Sequence, residues 1–117
     1  MANDFFPETL ETTRRGMAEL GKGIPAVMER FGSLHKAVAS PSALDTKVKE
    51  LMALAIAVAA RCDGCIAFHT EAALAGGATK DEITETLGVA VLMGGGPSVM
   101  YAVRVLQAVK EFQAADP

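Results

Sequence analysis

Apolar positions recur every three to four residues along most of this chain, a spacing that predicts helices and little else. Leu10, Met17 and Leu20 mark a first helix with Pro7 in its opening turn, stopped by Gly21-Lys22-Gly23. Pro25 opens a second, with Val27, Met28, Phe31, Leu34 and Val38 along one face, and Ser40-Pro41-Ser42 ends it. Asp45 is the expected N-cap of a third helix over about residues 46–60. After Glu50 this helix is apolar on every side, which predicts a place at the centre of the structure. A turn at Arg61–Gly64 leads to a fourth helix carrying Cys65, Phe68, Ala72 and Ala75 as far as Gly76-Gly77. Thr79 with Glu82 three residues on forms a capping box for a fifth helix ending near Met93. Gly94-Gly95-Gly96-Pro97 then breaks the chain, and a sixth helix runs from about Pro97 to Gln113. No segment alternates convincingly with period two and no internal repeat is present. The expected fold class is all-α, a bundle of about six helices.

Composition narrows this picture. A chain of 117 residues is the size of one domain, here spanning 1–117, and 50% hydrophobic with 21% charged residues is globular rather than disordered. Aromatics are scarce, so Ala, Met, Val and Leu carry the apolar content, which favours closely packed helices. The sixth helix is apolar on more than one face, with Val99, Met100, Val103, Leu106 and Val109 on one and Tyr101, Ala102 and Val105 on others. One small subunit is not expected to bury all of these, so a homo-trimer or homo-hexamer is expected. A net charge of −3 and the absence of any basic run argue against a nucleic-acid binder. The acidic N-terminal stretch MANDFFPETLE is unlike a secretory signal, and the apolar run Leu51–Ala60 is far short of the roughly 20 residues that span a bilayer. A cytoplasmic protein without membrane attachment is expected. In that reducing compartment a close cysteine pair points to catalysis or metal binding rather than a structural staple.

The chain has two cysteines and two histidines, and three of these four fall within CDGCIAFH, residues 62–69. Cys65 and His69 are four apart, so a helix sets them on one face, where an imidazole can take the proton of a thiol. Cys62 is one turn earlier, close enough for a disulfide with Cys65, and both stand near a helix N-terminus that favours a thiolate. Glu50 shares its helix face with apolar Leu54 and Val58, so its carboxylate points along a burying face. Rise along antiparallel third and fourth helices puts Glu50 about 15 Å back from the turn and His69 about 10 Å beyond it. That leaves a gap for a bridging water. Zinc is the alternative, with Glu50 as fourth ligand, but structural zinc sites draw their ligands from loops and knuckles rather than from one helix. A second alternative makes both cysteines small buried hydrophobes. His35 has no partner in sequence and is placed, without a role, at the edge of the second helix. The GGG stretch lacks a following Gly-Lys-Ser/Thr and is a helix stop, not a phosphate loop.

Glu50, eleven residues, Cys62, two, Cys65, three, His69 resembles the signature of the alkylhydroperoxidase D core of the carboxymuconolactone decarboxylase-like superfamily. The resemblance extends over roughly residues 20–113, through the second helix, the apolar helix before the cysteines, ALAGGATKDEI and the GGGP break. It implies an all-helical subunit that assembles into trimers or hexamers and acts as a peroxiredoxin-like thiol peroxidase on organic hydroperoxides and hydrogen peroxide. Carried onto these residues, it makes Cys65 the peroxidatic cysteine and Cys62 the resolving one. His69 becomes the imidazole that takes the thiol proton, and Glu50 the carboxylate linked to it through water. No cofactor or metal is expected, and the resemblance implies a dithiol reductant of lipoyl or thioredoxin-like type. The best-known peroxidase branch has a histidine directly before the second cysteine, where this chain has Gly64. The decarboxylase branch generally lacks the cysteine pair. Two other functions remain in view: a disulfide-exchange or redox-sensing accessory protein, and a decarboxylase or isomerase with Glu50 and His69 as acid and base.

Overall fold

A computed structural model describes residues 4–115, and among these the chain is all-α. Six helices follow in order: α1 Phe5–Gly23, α2 Pro25–Ala39, α3 Thr46–Ala60, α4 Asp63–Ala75, α5 Lys80–Gly94 and α6 Gly96–Ala115. Two boundaries differ from the expectation, each for a local reason. The glycines at 21 and 23 do not stop α1, which runs through them to Gly23. Ile24 leaves the helical region, with φ −134° and ψ 64°, because a residue preceding proline is driven out of it. Pro25, at the first position of α2, is the actual stop. The fourth helix starts at Asp63 rather than Cys65, since the sulfur of Cys62 serves as its N-cap and accepts from the Cys65 amide at 3.1 Å.

The other ends follow the expected chemistry. Asp45 Oδ1 accepts from the Val48 amide at 2.8 Å. Thr79 and Glu82 make both halves of the capping box, at 3.0 and 2.9 Å, and Glu82 also pairs with Lys47 on α3 at 2.9 Å. The Glu82 carboxyl is held below its ordinary range, first by the Thr79 amide and then by Lys47. Gly95 closes α5 at φ +71°, where an L side chain would be strained, and a Cβ on Gly94 would collide with the Ser98 side chain. The start of α1 is capped from the far end of the chain: Glu111 Oε1, buried on α6, accepts from the Phe6 amide at 2.7 Å.

α3 packs against α4, α5, α6 and α2, the central place its composition predicts. Leu54 and Val58 of α3 meet Ile66 and Ala67 of α4, Ile83 and Leu87 of α5, and Val105 and Val109 of α6, with Phe6 and Leu10 closing one side. Yet α3 is not covered all round, for Met52 and Ile56 are exposed. On α6 the inward face is Ser98, Val105, Ala108, Val109 and Phe112, while Val99, Met100 and Val103 face out. α2 buries no residue, and its stripe of Val27, Phe31, Leu34 and Val38 is more than half exposed throughout. The radius of gyration is 14.4 Å, against about 13 Å for a compact chain of this length. No helix of the described residues is long and apolar enough to cross a membrane.

Candidate active site

The loop between α3 and α4 sets the cysteines. Arg61 ends α3 in the left-handed region, at φ 59°, and turns the chain so that Cys62 begins α4. Cys62 and Cys65 are joined by a disulfide, their Cα atoms 5.2 Å apart. The two sulfurs differ in setting. Cys65 is exposed, whereas Cys62 is half-buried and takes the amide hydrogen bond at the helix start. A thiolate released at Cys62 would therefore be held by an N–H at the positive end of a helix.

Asp63, the first residue of α4, is clamped by Arg104 of α6 through two hydrogen bonds, 2.8 and 2.9 Å long. The guanidinium also lies 5.2 to 5.9 Å from the rings of Phe5, Phe6 and Tyr101, and pairing with Asp63 raises its pKa above the ordinary value. A bidentate fork flanked by rings fixes the start of α4, and with it the cysteine turn, against α6 and α1.

Glu50 and His69 meet directly. Glu50 is 6% exposed, and its Oε2 lies 3.0 Å from His69 Nδ1, so no bridging water is needed between them. Rise along two helix axes locates backbones only, and the long glutamate arm and the imidazole span what remains. An ionised carboxylate only accepts, so Nδ1 carries the proton and Nε2 is the nitrogen left as a base. Burying a carboxylate is costly without a partner, and the imidazole is that partner.

Cys65, Phe68 and His69 form one wall of a largely apolar cavity of about 340 Å³, a volume suited to a small molecule. Thr13 and Met17 of α1 and Phe31 and His35 of α2 form the other walls. His35, placed without a role at the edge of the second helix on sequence grounds, lines this cavity. It is half-buried on the cavity wall, its ring centroid 6.4 Å from that of His69 and 5.5 Å from that of Phe68, and its Nε2 is buried without a hydrogen-bond partner. The available signal was Phe31 and His35 four apart on one helix face. Nothing in sequence said that this face meets α4. Gly64 adds no side chain to the cavity, and a Cβ there would lie 3.5 Å from Thr13 Oγ1. Among the described residues no group of three or more His, Cys, Asp or Glu is arranged to hold a metal ion.

Comparison with known proteins places these features in a family. The model of the carboxymuconolactone decarboxylase family matches residues 25–108. An uncharacterized protein of Cupriavidus necator is 41% identical over 97 residues, 83% of this chain and 86% of its own length. Uncharacterized protein 4 in the cox locus of Paracoccus denitrificans is 31% identical over 99 residues, 85% of this chain and 89% of its own length. The crystal structure of an apo carboxymuconolactone decarboxylase family protein from Legionella pneumophila superposes with a TM-score of 0.90 at 46% identity, covering 93% of this chain and 97% of that one. A Thermotoga maritima family protein, with a suggested involvement in antioxidative response, gives a TM-score of 0.72 at 34% identity, over 78% of this chain and 94% of its own.

Proposed function

This chain belongs to the carboxymuconolactone decarboxylase family, and from that membership and its cysteine pair we propose that it is a thiol-dependent peroxidase acting on alkyl hydroperoxides and hydrogen peroxide. One observation carries the reading: the Cys62–Cys65 disulfide reaches, at Cys65, a small apolar cavity bordered by a histidine that a buried carboxylate holds in place.

In the reduced protein His69 Nε2 takes the Cys65 proton, and Glu50 stabilises the imidazolium that results. The thiolate attacks the terminal oxygen of the hydroperoxide. An S–O bond forms, the O–O bond breaks, and the departing alkoxide takes up a proton as the alcohol. Cys65 is now a sulfenic acid, the sulfur having been oxidised and the peroxide reduced. The Cys62 sulfur attacks it, forming the S–S bond and releasing water. A dithiol reductant restores the pair by attacking the exposed Cys65 sulfur, and Cys62 leaves as a thiolate on the hydrogen bond from the Cys65 amide. A lipoyl-type or thioredoxin-like dithiol has the two thiols this exchange requires.

The exposure of Cys65 also favours a second reading, disulfide exchange with a partner protein and little peroxide turnover. Acid–base chemistry on a small carboxylic acid fits less well, because Glu50 faces His69 and does not line the cavity. The exposed stripes of α2, α5 and α6 support the proposal of a homo-trimer or homo-hexamer, in which like subunits would cover them.

A peroxide-consumption assay with several dithiol donors tests the main reading. Wild type is expected to consume tert-butyl hydroperoxide as long as dithiol is present, and Cys65→Ser to consume none. A wild type whose reduced thiols survive the peroxide would overturn it, and disulfide exchange without peroxide loss would favour the second reading.

A further inference from the structure

We propose that Arg104 governs how readily the Cys62–Cys65 disulfide is reduced, by drawing the Asp63 carboxylate off the start of α4 and leaving that place to the Cys62 sulfur. The inference rests on the reading above only in that the pair cycles between disulfide and thiols. Asp63 is the first residue of α4, directly after Cys62 and two before Cys65. A carboxylate and a thiolate there compete for one positive helix end, and each raises the cost of the other's charge. In the fold that competition is settled. Both Asp63 oxygens are taken by Arg104, Oδ1 by Nε at 2.8 Å and Oδ2 by Nη2 at 2.9 Å, while the Cys65 amide donates to the Cys62 sulfur at 3.1 Å.

The rings of Phe5, Phe6 and Tyr101, 5.2 to 5.9 Å from the guanidinium carbon, hold the fork in place. Other charged groups packed about α4 are engaged elsewhere. Glu50 of α3 pairs with His69 at 3.0 Å, and Arg14 of α1 with Glu71 at 3.4 Å. Tyr101 and Glu111 of α6 act on Arg104 itself. Arg61, exposed at the end of α3, is a cation next to Cys62 that no variant below alters.

In reduction, a thiolate of the dithiol attacks the Cys65 sulfur, a mixed disulfide forms, and Cys62 leaves with the electron pair of the broken S–S bond. The second thiolate of the dithiol then attacks its own sulfur in the mixed disulfide and releases Cys65. Two electrons, with the protons of the dithiol, pass to the protein pair. Whatever stabilises the Cys62 thiolate favours the reduced pair, and does so only above the pH at which that thiol ionises. An unpaired Asp63 carboxylate raises that pKa, and an unpaired Arg104 lowers it.

The test poises wild type, Arg104→Met, Asp63→Asn and the double variant with oxidised and reduced dithiothreitol, from about pH 5 to about pH 9. Free thiols are trapped and counted by mass spectrometry. At about pH 9 we expect Arg104→Met to be about 10-fold harder to reduce and Asp63→Asn about 3-fold easier, with the double variant within about 2-fold of wild type. All four should converge toward about pH 5, where the thiol is protonated. Equal values for all four at every pH would overturn the inference. So would single variants that shift in the same direction, or an offset independent of pH, since either makes the clamp a geometric support only. Should Arg104→Met fail to fold, Asp63→Asn decides alone, and a pair no easier to reduce at about pH 9 overturns the inference. A wild-type disulfide that withstands excess dithiothreitol overturns this inference and the peroxidase reading together. The expected pattern in a protein whose thiols survive tert-butyl hydroperoxide upholds the inference and overturns the peroxidase reading alone.

Discussion

Glu50→Gln keeps the length of the side chain and an oxygen for the His69 Nδ1 proton, and removes only the charge. A hydrogen bond to a charged group contributes about 1.5–3 kcal/mol, against about 0.5–1.5 kcal/mol for a neutral one. A full charge pair near 4 Å at a protein-surface dielectric sets an upper bound of about 4 kcal/mol. The carboxylate side chain is 8% exposed and the imidazole 22%, so water screens part of that attraction. A loss of about 1.5–3 kcal/mol is reasonable, at about 1.4 kcal/mol per tenfold change in an equilibrium. The equilibrium affected is thiol with neutral imidazole against thiolate with imidazolium, which sets the reactive fraction of Cys65. Iodoacetamide alkylation of the reduced protein, followed by mass spectrometry across pH, reads it directly. At about pH 6–7 the variant should react roughly 10- to 100-fold more slowly than wild type. The two should converge above about pH 9.5, where bulk base ionises even an ordinary thiol of pKa about 8.5. Identical rates at every pH would refute the carboxylate's role. A constant offset persisting to pH 10 would show lost access or geometry rather than lost charge.

Arg104→Met removes the clamp on Asp63 and should lower stability by about 1–2 kcal/mol in urea unfolding, a figure moderated by the one-third exposure of both partners. Adding Asp63→Asn should recover part of this loss, and strict additivity would deny the coupling. Glu82 is held below the ordinary carboxylate range, so its contribution to folding is complete at neutral pH and is lost as pH falls through its folded value. Glu82→Gln should accordingly flatten the fall in Tm between about pH 5 and pH 3, and an unchanged slope there would rule out this source. Light scattering at micromolar concentration should return a multiple of the 12.2 kDa subunit mass, and a mass near 12.2 kDa would reject the oligomer.

Helix number, order and class were legible because each helix carries local information: apolar spacing, Asp45 and Thr79 as caps, Pro25 and Gly95 as breaks. That Cys65 and His69 share a helix face was legible for the same reason, since four residues on one helix define a face whatever surrounds it, and both line the cavity. Glu50 was readable as a buried carboxylate from its apolar neighbours at one and two turns, but its direct contact with His69 was not. That contact depends on how α3 lies against α4 and on side-chain reach, neither of which a periodic pattern encodes. The start of α4 was misplaced by two residues because a cysteine sulfur took the capping place usually held by a side-chain oxygen. His35 shows the deeper limit. Its helix announces an apolar stripe, yet no residue of α2 is buried, and only the packing of α1 and α2 beside α4 puts Phe31 and His35 on the wall of a cavity. Helical spacing is written in neighbours a few residues apart, whereas a site gathered from three helices depends on contacts between residues far apart in sequence, such as Thr13, His35 and Cys65, which only the folded chain brings into register.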